Sequence, residues 1–103
     1  MTQLGWDEAK NLRNALKHSV NFLAMKDFDW HSVLESTDDR NNYGETRYTA
    51  IGYLKDRLHV CIYTERKGLR RIISLRKANA RERRLYEEKT QKTRGKQKNR
   101  IDE

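Results

Sequence analysis

Between Glu45 and Arg76 the chain reads as three extended segments with short connections: ETRYTAIGYL (45–54), LHVCIYTE (58–65) and RRIISLR (70–76). Val, Ile, Thr and Tyr recur along them, and Lys55–Asp56–Arg57 and Arg66–Lys67–Gly68–Leu69 have the length of hairpin loops. Three or four antiparallel strands are therefore the expected framework. With Glu65 opposite Arg70, Ile62 faces Ile73 and Val60 faces Leu75 on one side of the sheet. Period-two alternation makes that side the core and sends Cys61, Tyr63, Glu65, Arg70, Ile72, Ser74 and Arg76 to an open face. The stretch YTERKGLRRIISLRKA (63–78) sets six cations against one acid, so the open face and the hairpin end are expected to be basic.

The flanking segments read as helices. DEAKNLRNALKHSV (7–20) places Ala9, Leu12, Ala15, Leu16 and Val20 at helical spacings behind an Asp7 cap, which predicts an amphipathic helix with Leu12 and Leu16 in the core. Trp6 reads as a packed anchor ending a strand that enters this helix, and NFLAMKDF (21–28) as a second, shorter helix capped by Asn21. DDRNNYG (38–44) is a cluster of turn formers. Asn79 and Glu82 have capping-box spacing and open a helix, ARERRLYEEKTQ, with Leu85 and Tyr86 as its apolar contacts. The expected class is α+β: two N-terminal helices, an antiparallel sheet of three or four strands and a C-terminal helix, the helices packing on one sheet face. Residues 1–88 form the single domain and 89–103 a basic tail, expected to be disordered in isolation.

Charge narrows the partners. In 103 residues, 23 Lys and Arg outweigh 15 Asp and Glu, a balance of +8 that makes a polyanion the first partner to consider. The lone Cys61 excludes an intramolecular disulfide and any zinc spacing built on a second cysteine, and no metal or cofactor is expected. MTQLGWDEAK has no basic region followed by an apolar one, and no apolar run approaches the ~20 residues of a membrane span. A soluble, cytoplasmic protein is expected.

Five ordered blocks carry a resemblance: GWDEAKNLRNALKHSVNF, then E-T-R-Y, Y-T-E-R, R-I-I-S-x-R-x-A and R-E-R-R-x-Y-E, spanning roughly residues 5–88. Each is weak alone, but in this order and spacing they resemble the BrnT family of toxins from type II toxin–antitoxin pairs, relatives of the RelE-like ribonucleases. FDWHSVLES (28–36) departs from the family's acidic-proline turn. The resemblance implies a RelE-like fold and a metal-independent endoribonuclease that inhibits translation. It also implies a cognate, BrnA-like antitoxin with a ribbon-helix-helix part, joined in a heterotetramer, with operator DNA reached only through that antitoxin.

Metal-free RNA cleavage needs a base for the 2′-hydroxyl proton, cations for the charge developing on the scissile phosphate, and an acid for the 5′-oxygen. Arg66 and Arg76, in the T-E-R and S-x-R positions, suit the phosphate because guanidinium forks bind two oxygens at once. Glu65, His18 and Tyr86 are the catalytic candidates for proton transfer, with Tyr63 and Lys17 also open. Lys17, Arg47, Lys67, Arg70 and Lys77 are candidate phosphate contacts. Quieter roles stand beside these: His18 capping a helix end, Glu65 pairing with Arg70, and Arg81, Arg83 and Arg84 forming a solvated face. In the proposed register Arg66 and Arg76 stand roughly 20 Å apart, so they would grip successive phosphates unless a bulge shifts the strands. The competing function is a non-catalytic nucleic-acid-binding module with Tyr48, Tyr53 and Tyr63 as stacking platforms.

Overall fold

The structure is a computed structural model that describes residues 3–38 and 44–90. Most of the predicted 38–44 turn and the tail from residue 91 lie outside the described residues. Five strands make one sheet in the order β1-β5-β4-β3-β2: β1 Gln3–Trp6, β2 Leu34–Asp38, β3 Arg47–Leu54, β4 Arg57–Arg66 and β5 Leu69–Lys77. The central meander β3-β4-β5 is antiparallel as expected, but β2 joins one edge antiparallel and β1 joins the other in parallel. The sheet is thus mixed and wider than the three or four antiparallel strands anticipated. β1 is the strand expected to end at Trp6, though its parallel pairing was not foreseen, whereas the five-residue LESTD lacks apolar alternation and is revealed as a strand by its partner.

Helix α1, Glu8–His18, starts at Asp7, whose carboxylate accepts from the Ala9 N–H, and ends at Ser19 in the left-handed region. The expected second N-terminal helix is a 3-10 segment, Phe22–Asp27, capped by Asn21, and another 3-10 turn, Trp30–Ser32, follows. Residues 80–90 form helix α2, in the expected ARERRLYEEKTQ segment, whose last residue lies outside the described residues. Its capping box is present: Glu82 N–H donates to Asn79 Oδ1 (2.8 Å) and Asn79 N–H to Glu82 Oε1 (2.9 Å). Lys67 and Gly68 both have positive φ, the type I′ geometry that closes β4 onto β5 with a two-residue turn.

The helices do not share one face, which corrects the expected layering. Phe22, Met25 and Phe28 pack with Cys61, Tyr63, Ile72 and Leu75 on one side. On the other side Tyr86 of α2 and Ala78 pack with Ile51, Leu58 and Val60. A bulge decides which β5 residues join each side. Glu65 pairs with Arg70 as anticipated, but the register slips between Ile62 and Tyr63: Tyr63 opposes Ile72, Ile62 opposes Ser74 and Val60 opposes Arg76. Ile73 is the extra residue. Beyond it the alternation inverts, so Leu75 joins Cys61 and Tyr63 in the core while Ser74 and Arg76 turn to the α2 side. The expected pairs Ile62–Ile73 and Val60–Leu75, and the shared open face of Cys61, Tyr63, Ile72, Ser74 and Arg76, are corrected accordingly.

Helix α1 is inverted relative to its apolar pattern. Asn11 and Asn14 are buried, whereas Leu12 is 61% and Leu16 86% exposed, against the expectation that both leucines are core. The open edge of β5 explains this. Strand β1 stops at Trp6 opposite Ile72, and beyond it the backbone of β5 needs another partner. The Asn14 amide supplies one, donating to Leu75 O (2.7 Å) and Val20 O (3.0 Å) and accepting from Leu75 N–H (3.1 Å). Asn11 accepts from Phe22 N–H (2.8 Å) and donates to Asn21 Oδ1 (3.1 Å), fixing the start of the following 3-10 segment. Leaving such buried groups unpaired costs about 1–3 kcal/mol each, enough to outweigh burying a leucine.

Candidate active site

The bulge gathers three elements around residues 73–76. Lys10, Arg13, Asn14, Lys17 and His18 from α1 face Ile73 and Ser74 across a shallow groove of about 370 Å³. Two residues along β5, Arg76 lines a neighbouring groove of about 300 Å³ with Glu82 of α2 and Ser36 and Thr49 of β2 and β3. Arg76 donates from Nη1 to Glu82 Oε1 (2.8 Å) and from Nη2 to Glu82 Oε2 (2.7 Å), a two-pronged pair. Its side chain remains 32% exposed. The pair holds the Glu82 carboxyl below its ordinary range, so it is ionised at neutral pH. His18, the last residue of α1, is pushed below its ordinary value by partial burial and then by the Lys17 and Arg76 charges. It is therefore a neutral imidazole at pH 7, able to accept a proton.

The turn end of the same hairpin is built differently. Arg66 donates through Nε (3.0 Å) and Nη2 (2.8 Å) to Glu45 Oε1, with its side chain 58% exposed. Such an exposed pair is worth about 0.2–1 kcal/mol and exchanges readily for a phosphate. Glu65 and Lys67 are exposed beside it. Arg70 turns inward: its guanidinium lies 3.9 Å from the Trp30 ring centre and its Nε is buried. Trp30 meets Tyr63 edge-on at 5.5 Å, Tyr48 stacks on Tyr63 at 5.2 Å, and Tyr63 donates its hydroxyl to Glu35. Burial and Glu35 together push the Tyr63 hydroxyl well above its ordinary value, and burial does the same to the Cys61 thiol.

The sequence candidates thus divide. His18 and Lys17 line the groove beside the bulge, Arg76 lines the neighbouring one, and Lys77 is exposed next to Arg76. Arg66, Glu65, Lys67 and Arg70 lie at the turn, and Arg47 pairs with Thr64 near it. Tyr86 is buried under the sheet, donating its hydroxyl to Ser32 O (2.7 Å), where it anchors α2. Glu82 was read only as a cap, and Lys10, Arg13 and Ser74 were not singled out. The pairing of Glu82 with Arg76 depends on the bulge turning Arg76 toward α2, for which the sequence holds no local marker.

Among the described residues no three His, Cys, Asp or Glu side chains come together as a metal-binding group, and no helix is long and apolar enough to cross a membrane. Residues 6–82 match the family described as ribonuclease toxin, BrnT, of type II toxin–antitoxin systems. The chain belongs to the BrnT family. A search of curated proteins returned no match. Among solved structures, the crystal structure of the Brucella abortus ribonuclease toxin BrnT is similar, with a TM-score of 0.59 and 23% identity over 77% of this chain and 99% of that one. At that identity the likeness shows a shared BrnT fold. Family membership brings ribonuclease activity at family level and an antitoxin as partner.

Proposed function

We propose that this BrnT-family chain is a metal-independent endoribonuclease whose reaction centre is the bulge-end groove. Neutral His18 takes the 2′-hydroxyl proton, and Arg76 meets the charge that develops on the scissile phosphate as the 2′-oxygen attacks. Lys17, with Lys10 and Arg13, holds the flanking phosphates. Glu82 positions Arg76, presenting its guanidinium edge to the groove. The P–O5′ bond breaks as the 5′-oxygen takes a proton from solvent, leaving a 2′,3′-cyclic phosphate and a 5′-hydroxyl. The turn-end cations Arg66 and Lys67 guide the RNA strand further along, and the basic residues after Lys89 add affinity without sequence preference.

The carrying observation is that a histidine ending α1 and a part-exposed arginine of β5 line adjoining grooves on either side of the bulge. In the cytoplasm such cutting would inhibit translation. A BrnA-like antitoxin with a ribbon-helix-helix part would neutralise the enzyme in a heterotetramer and carry the complex to operator DNA. Purified protein incubated with single-stranded RNA in EDTA is expected to give fragments with cyclic phosphate ends. RNA left intact by well-folded protein would instead favour the non-catalytic binding module.

A further inference from the structure

We propose that the exposed leucine face of α1 is the seat of an acidic amphipathic segment of the cognate antitoxin, and that this segment shuts the groove by lying beside it. The inference rests on the reading of the groove above as the reaction centre. Leu12 and Leu16 stand one helical turn apart with Ala9 on the same exposed face, an apolar stripe that no described residue covers. Their outward position follows from a structural demand: Asn11 and Asn14 occupy the inner face to satisfy the β5 edge and the following 3-10 segment. The leucines therefore contribute little to the fold of the free chain and are available to a partner.

Charge selects the occupant. On one flank of the stripe run Arg13 and Lys17, both exposed, and these same two side chains line the groove with His18. A helix or strand that buries Leu12 and Leu16 and carries Asp or Glu on one border would pair with Arg13 and Lys17, withdrawing them from RNA and covering His18. A second copy of this chain is disfavoured, since an isologous contact would press Arg13 and Lys17 toward their own equivalents in a protein of net charge +8. Residues 91–103, with five cations and two acids, have the wrong sign.

The test uses the full chain and the protein encoded by the adjoining reading frame as antitoxin. Leu16→Glu alone, and Leu12→Glu with Leu16→Glu, change only exposed positions, and circular dichroism melts are expected to match wild type within a few degrees. Binding measured by calorimetry is expected to weaken roughly 30-fold for the single variant and more for the double. Both variants should cut RNA as wild type does when alone and resist inhibition when antitoxin is added. Unchanged binding and unchanged inhibition would overturn the proposal. So would loss of self-association by the variants in sedimentation with antitoxin affinity intact, which would mark a contact between copies. If wild type cuts no RNA, the reaction-centre reading fails, while the calorimetry still decides the docking face.

Discussion

The two ends of the β4–β5 hairpin have similar cationic content but different company. At the turn, Arg66 is matched by Glu45, Arg70 is folded onto Trp30, and the carboxylate nearest in the register, Glu65, is exposed beside them. At the bulge, Arg76 is paired with a glutamate from α2 in one groove, while a histidine from α1 lines the adjoining groove with Lys17 and Ser74. Density of charge along a strand finds phosphates. Chemistry needs a proton acceptor placed by a different element, and among the described residues the bulge end adds a histidine from α1, where the turn end offers carboxylates.

The sharpest way to break this comparison is at the base. His18→Ala is expected to lower the RNA cleavage rate about 10³-fold, while circular dichroism reports an unchanged fold; a comparable loss from Glu65→Ala instead would move the chemistry to the turn. Arg76→Ala should follow with a loss of about 10²-fold at saturating RNA, and Glu82→Gln, which weakens the pair but keeps the guanidinium, with a much smaller one. If the two variants lose equally, Glu82 takes part in proton transfer and does more than position Arg76. The third test concerns the edge that holds α1 against the bulge. Asn14→Ala is expected to cost about 3 kcal/mol in denaturant unfolding, because it orphans buried groups of Leu75 and Val20, and to reduce cleavage by misplacing His18. Exposed Arg66→Ala should change cleavage less than about tenfold and mainly flatten the salt dependence of RNA binding, by roughly one ion.

Much of the framework was legible. The three central strands, the Asp7 and Asn21 caps, the capping box at Asn79 and the register that sets Glu65 opposite Arg70 all rest on local chemistry that short segments carry by themselves. What sequence reasoning missed is non-local. A bulge at Ile73 looks like any other isoleucine in IIS, yet it swaps the faces of Ser74, Leu75 and Arg76. The leucine pattern of α1 points to a buried apolar stripe, while the fold needs asparagines there because β1 is too short to cover β5. Those two departures also set the adjoining grooves that His18 and Arg76 line, so the candidate site was visible as residue types and invisible as an arrangement.

The pH dependence of single-turnover RNA cleavage in EDTA tests the central claim most directly, comparing wild type with His18→Ala. Because burial and the neighbouring cations lower the His18 value, the imidazole stays neutral on the acid side of its ordinary titration. Wild-type cleavage should therefore fall on the acid side, as His18 protonates, with a midpoint below that of an ordinary histidine. The residual cleavage of His18→Ala should lack that acidic limb. An identical limb in both proteins would place the proton acceptor elsewhere and contradict the assignment of the bulge-end groove.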